Sequence, residues 1–121
     1  MPDEEPSDQR MQATGAARVV LLTAPDEEVA AQLARGLVGA GLAACVNRVP
    51  GLRSTYVWKG AVEEESEVLL VVKTVAGSLE ALAAWLADAH PYETPECIAL
   101  TPSEVERGYL AWWLEATRGG P

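Results

Sequence analysis

The sequence has no phenylalanine and only one histidine, His90. Without phenylalanine, its 4 tryptophans and 3 tyrosines must supply all the aromatic packing. Two cysteines, Cys45 and Cys97, are too few for a disulfide framework and do not have zinc-finger spacing. Basic residues are scarce: 9 Lys and Arg stand against 18 Asp and Glu, for a formal net charge of −9. They form no cluster, which argues against binding to nucleic acid or to anionic membranes, since both need a basic face. No apolar run approaches the roughly 20 residues of a membrane span. The acidic start, Met1-Pro2-Asp3-Glu4-Glu5-Pro6, is unlike a signal or transit peptide, so a cytoplasmic location is expected. A Walker or Rossmann phosphate loop is also missing. The acidic excess suits solubility and is compatible with cation binding.

The 121 residues are enough for one domain with a real core. Residues 1–16 are acidic, polar and without apolar periodicity, and read as a disordered tail ahead of a domain over 17–118. Residues 18–23 are a continuous apolar run suited to a central strand buried on both faces. Pro25-Asp26-Glu27-Glu28 then signals a helix start, with acids beside the positive end of the dipole. Gly39 and Gly41 mark the end of that helix. A second strand over 42–49 is interrupted by Pro50-Gly51, which favours a sheet edge, and resumes over 52–58. Tyr56 and Trp58, two apart, share one face. Lys59-Gly60 reads as a hairpin turn. The return strand over 62–74 is acidic first (Glu63-Glu64-Glu65-Ser66-Glu67) and apolar afterwards (Val68-Leu69-Leu70-Val71-Val72). A long hairpin with a solvated end and a buried end projects beyond its own core and needs another surface to lean on. Ser78 caps a second helix that stops at His90, before Pro91. A short fourth strand over 97–100 follows, then a capping-box pattern, Ser103-x-x-Glu106, and a third helix over 109–114.

This order is β-α-β-β-α-β with a terminal helix. The fold class is α+β: a ferredoxin-like βαββαβ sandwich with an extended hairpin between its second and third strands. The first and third strands take the centre, and the second and fourth take opposite edges.

The chemistry concentrates in His90-Pro91-Tyr92-Glu93-Thr94-Pro95-Glu96, a stiff turn that would hold an imidazole, a phenol and carboxylates in fixed relation. His90 is either a helix-terminal residue favoured by the dipole or a metal ligand or base. The cysteines read as small hydrophobes inside strands, too far apart for a disulfide. Lys73 reads as a salt-bridge partner or an anion contact. No nucleophile, base and orienting group can be placed together, so the chain reads as a non-enzyme.

Taken in order, Thr23-Ala24-Pro25-Asp26-Glu27, Leu42-Ala43-Ala44-Cys45-Val46-Asn47, Pro50-Gly51, Tyr56-x-Trp58-x-Gly60, Lys73-Thr74, His90-Pro91-Tyr92-Glu93-x-Pro95-Glu96 and Tyr109-Leu110-x-Trp112 resemble the CutA family of divalent-cation tolerance proteins over residues 18–117. The resemblance implies a homotrimer in which the long hairpin pairs with neighbouring subunits. It also implies tolerance of copper or another divalent cation, with no cofactor needed for folding. His90 is what the chain keeps of the family's ligand set and is the first expected metal ligand, with Glu93 of the same stiff turn the next. Where copper-linked bacterial members carry a cysteine before the Thr-Ala-Pro turn, this chain has Leu22; where some carry a second histidine, it has Ala89. Two alternatives stand beside metal binding. One is a PII-like small-molecule sensor, with a cleft between subunits lined by Tyr56, Trp58, Glu67, Lys73, Tyr92, Glu93 and Trp112. The other is a trimeric scaffold.

Overall fold

The computed structural model describes residues 9–117. Its main sheet has four strands: β2 (Ala17–Ala24), β3 (Cys45–Trp58), β4 (Ala61–Val75) and β5 (Ile98–Leu100). They are ordered β3-β4-β2-β5, each antiparallel to its neighbour. The apolar β2 and β4 therefore take the centre, and β3 and β5 the two edges, as the hydrophobic runs predict. Helices α1 (Glu27–Gly39) and α2 (Leu79–Ala89) cover one face. Alternation decides which side chains they meet: Val20, Leu22, Val68, Leu70 and Val72 pack against Leu33, Leu37, Leu82 and Leu86 in one buried cluster.

The ends of α1 follow from its sequence. The Asp26 carboxylate accepts the Val29 N–H at 2.8 Å, satisfying one of the unpaired donors of the first turn. At the other end Leu42 N–H returns to Leu37 O at 3.0 Å while Gly41 sits at φ +76°. That is the Schellman stop, and glycine is the residue that takes its left-handed position without strain.

The β3–β4 hairpin is the feature that positions the site. Lys59 (φ 52°) and Gly60 (φ 81°) form a two-residue turn whose twist matches the strands. β2 ends with Ala24 opposite Val68. From Leu52↔Glu67 to Trp58↔Ala61, the two hairpin strands pair with each other beyond the end of β2. The Pro50-Gly51 step is the register irregularity, between Val49 and Leu52, and it lies on the edge strand as proline requires.

Several expectations are corrected. Residues 1–8 lie outside the described residues, but Met11–Ala13 is a strand, β1, rather than part of an unstructured tail. It pairs with β6 (Glu104–Glu106) in a second, two-stranded sheet, and Thr14 Oγ1 donates to Pro102 O at 2.5 Å. The free edge of β6 supplies the order that local composition does not. Ser103 opens no capping box, because Glu104–Glu106 is a strand and not the first turn of a helix. Instead Glu106 caps α3 (Arg107–Thr117), its Oε1 accepting Tyr109 N–H at 2.8 Å. Ser78 makes no side-chain cap bond, because a 3-10 turn over Ala76–Ser78 leads into α2. Cys97 precedes β5 and is exposed rather than buried in a strand.

The sheet face opposite α1 and α2 carries Leu21, Val71 and Ile98 in one row and Thr23, Leu69 and Val49 in the next. Val49 (46%), Ile98 (47%) and Leu100 (46%) are exposed there. No helix of the described residues is long and apolar enough to cross a membrane.

Candidate functional site

The turn after α2 folds back onto the end of the sheet. Pro91 forces His90 out of the helix to φ −83°, ψ 139°, and this brings its ring under the end of β2. Its Nε2–H donates to Thr23 O at 2.8 Å, and its Nδ1 accepts the Tyr92 N–H at 3.1 Å. The two bonds fix one neutral tautomer, with the proton on Nε2. His90 is buried, with 7% of its surface exposed, and its ring lies 4.8 Å from that of Tyr92.

Tyr92 carries the connection onward. Its hydroxyl donates to Glu67 Oε2 at 2.9 Å, and Ser54 Oγ donates to Glu67 Oε1 at 2.6 Å. The relay Thr23–His90–Tyr92–Glu67–Ser54 thus joins β2, the turn, β4 and β3. Glu67 is 8% exposed, yet among the described residues it has no cationic partner. Its negative charge rests on two neutral hydroxyls. Burial first, and then the Glu67 carboxylate, push the Tyr92 phenol far above its ordinary value, with Glu65 adding to the negative field. The Tyr56 phenol is pushed up in the same direction, by desolvation first and then by Glu65.

The turn and the projecting hairpin enclose an open cleft of about 860 Å³. Tyr56, Trp58 and Tyr92 give it aromatic walls, and Glu63, Glu65, Glu67, Glu93 and Glu96 supply five carboxylates. No lysine or arginine lines it. The hairpin register explains the grouping: Tyr56 faces Glu63 and Ser54 faces Glu65, so the aromatics of one strand and the acids of the other share a face. Lys59 Nζ sits 5.7 Å from the centre of the Trp58 ring.

Of the residues expected to line a ligand cleft, Tyr56, Trp58, Glu67, Tyr92 and Glu93 do come together. Lys73 and Trp112 do not. Lys73 lies six residues further along β4 from Glu67, about 20 Å at the strand repeat, where its ammonium donates to Asn47 Oδ1. Trp112 is on α3, exposed, with its ring tilted against that of Tyr109 at 5.4 Å. Thr23, Ser54, Thr55, Glu63, Glu65, Thr94 and Glu96 also line the cleft and were not among the residues expected there. The two-residue turn at Lys59-Gly60 was the available signal, since its length fixes the register that brings Glu63 and Glu65 opposite Tyr56 and Ser54.

The residues fit a bare metal ion poorly. Among the described residues no three or more His, Cys, Asp or Glu side chains stand close enough to hold one. His90 could reach a metal only by giving up one of its two hydrogen bonds, and Glu93 belongs to the wall of a cleft much larger than a coordination sphere.

Comparison with known proteins agrees with this fold. The sequence profile of the CutA1 divalent ion tolerance protein family matches residues 18–116. The divalent-cation tolerance protein CutA of Thermus thermophilus is 50% identical over 99 residues, covering 82% of this chain and 96% of that one. Its solved structure superposes with a TM-score of 0.81, covering 83% and 97% of the two chains. CutA of Synechococcus elongatus, 40% identical, superposes with a TM-score of 0.84 over 88% of this chain and 95% of its own. That protein has also been solved complexed with a Bis-Tris molecule. A CutA of Archaeoglobus fulgidus, 29% identical with a TM-score of 0.81 over 84% and 99% of the two chains, is described as periplasmic. The chain belongs to the CutA1 divalent ion tolerance protein family.

Proposed function

We propose that this chain acts in divalent-cation tolerance as a homotrimer and meets its cation, copper(II) or another divalent ion, in the cleft between the hairpin and the 90–96 turn. The observation that carries this reading is Glu67, a buried carboxylate without a counter-cation at the base of a cleft that holds four more carboxylates and no basic side chain. Such a cleft concentrates cations. Glu93 and the hairpin acids are the donors open to a hydrated ion, and water or a neighbouring subunit would supply the remaining coordination. His90 enters this reading as the residue that holds the turn, because both its ring nitrogens are already engaged.

Trimer formation is supported by the half-open apolar sheet face, by the uncovered edge at β5 and by a hairpin longer than the sheet behind it. A ferredoxin-like subunit in a closed ring would cover all three. Light scattering should give three times the chain mass of 12.9 kDa at micromolar concentration; a monomer would refute the assembly. Copper(II) titration should weaken in Glu93→Gln and Glu65→Gln, and equal affinity in both variants would remove the cleft from the reading. Cytoplasmic residence belongs to the same proposal, and cell fractionation tests it against the periplasmic description of the archaeal relative.

A second reading, small-molecule binding in the same cleft, is favoured by its volume and aromatic walls. The Synechococcus elongatus relative solved with Bis-Tris, an amine carrying hydroxyl groups, supports small-molecule binding by a protein of this family.

A further inference from the structure

The side chains of β1 add nothing to the core. Met11, Gln12 and Ala13 are all exposed, and none of them belongs to a buried cluster. The family profile begins at residue 18, so β1 also lies outside the matched residues. What β1 contributes is backbone pairing. We infer that β1 is a guard strand: it closes, within its own chain, an edge of β6 that otherwise recruits a strand from another molecule, and it thereby stops self-association at the closed ring proposed above. Only the ring rests on the trimer reading; the guard does not.

The register identifies the groups that β1 closes. Arg107 N–H donates to Arg10 O at 2.7 Å, so Arg10 and Arg107 form a hydrogen-bonded pair. Ladder bonds alternate along an antiparallel pair, so Gln12 and Val105 are the next such pair, while Met11 and Ala13 turn their N–H groups away from β6. Without β1, the N–H and C=O of Val105 and the first N–H of α3 lose their partners. They then sit on a rigid template, because Val105 packs against the Ala17–Leu110–Trp113 cluster and holds β6 extended. Unpaired groups on a preformed strand are what another chain pairs with. β1 does not pass the hazard outward. It is three residues long, and its outer side offers only the backbone groups of Met11 and Ala13. Very short edge strands are one way in which sheets avoid pairing with other molecules. Nor can β1 lengthen toward β2. Gly15 turns the chain at φ +60°, and Ala17 N–H closes that turn on Thr14 O at 3.4 Å. The buried Thr14 hydroxyl then clasps the segment between β5 and β6 through its 2.5 Å bond to Pro102 O.

The experiment is light scattering of the full-length protein over a range of concentrations, with tryptophan emission followed in parallel. Salt is held at about 0.15 M, where the net charge of −9 is screened. The opened variant is Gln12→Pro with Thr14→Val, which removes the ladder N–H and the clasp together. Its control is Gln12→Ala with Thr14→Ser, which changes both side chains but keeps the N–H and a hydroxyl. The opened variant should reach at least about twice the wild-type mass, climbing with concentration, and should keep the emission of the folded chain. The control should match the wild type. An opened variant with the wild-type mass at every concentration overturns the guard. A rise in mass with red-shifted emission means aggregation through unfolding and also overturns it, as does an equal rise in the control. A wild type that is not three times the chain mass removes the ring, and the guard is then decided by the same comparison of variant with wild type.

Discussion

Replacing His90 by alanine separates two roles that the sequence leaves open. As a clamp, His90 works in the metal-free protein; as a ligand, it contributes only when metal is present. The alanine variant loses the bonds to Thr23 O and from Tyr92 N–H. Each lost bond is worth about 1 kcal/mol net, and leaving the buried Thr23 carbonyl unpaired adds about 1–3 kcal/mol. Truncating a buried ring adds a cavity cost of about 1 kcal/mol. The expected total is about 4–6 kcal/mol per chain, a large part of the stability of a domain this size. Urea unfolding of EDTA-treated protein, followed by tryptophan fluorescence at one fixed protein concentration, measures it. Fixed concentration matters because self-association adds to apparent stability. Amide exchange at Tyr92 should accelerate in the variant. A loss below about 1 kcal/mol with unchanged Tyr92 exchange would refute the clamp.

Three further outcomes follow from the packing and the charges. A Cβ at Gly36 would lie 2.8 Å from Cη2 of the Trp85 ring, so Gly36→Ala should destabilise by about 1–3 kcal/mol through overpacking; an unchanged denaturation midpoint would mean that Trp85 moves aside freely. The Tyr109 N–H bond, then Gly108 N–H, holds the Glu106 carboxyl below its usual range. Its contribution is present above the unfolded pKa and lost as pH falls through the lower folded value, so the stability gap between wild type and Glu106→Ala should close in acid. A gap independent of pH would remove the capping charge. The Tyr92 phenol is raised, so its contribution is full below the ordinary tyrosine pKa and lost as pH rises through the higher folded value. In Glu67→Gln the ultraviolet titration of that phenol should move down toward the ordinary range; an unmoved titration would mean that burial alone raises it.

Much of the fold could be read from the chain because its signals are local. The two apolar runs at β2 and β4 could only be central strands, Gly41 could only close a helix, and Lys59-Gly60 set a two-residue turn. What stayed hidden depends on distant partners. β1 and β6 are three residues each, too short for periodicity, and exist through their pairing with each other. The partner of His90 is a backbone carbonyl 67 positions earlier, so no spacing rule could tell a clamp from a ligand. Lys73 shares strand and face with Glu67, and composition alone put it in the cleft; only the length of β4 takes it to the other end. The aromatic and acidic halves of the cleft were each visible as alternation, and the hairpin register is what joins them.

The central claim is that the cleft between the hairpin and the 90–96 turn is where this protein meets its cation. Paramagnetic copper(II) broadens the amide signals of nearby residues, so substoichiometric copper(II) added to isotope-labelled protein maps the site directly. The account predicts first broadening at Tyr56, Trp58, Glu65, Glu67 and Glu93. Broadening that begins instead around Cys45, Lys73 and Tyr109, at the far end of the sheet, would contradict it.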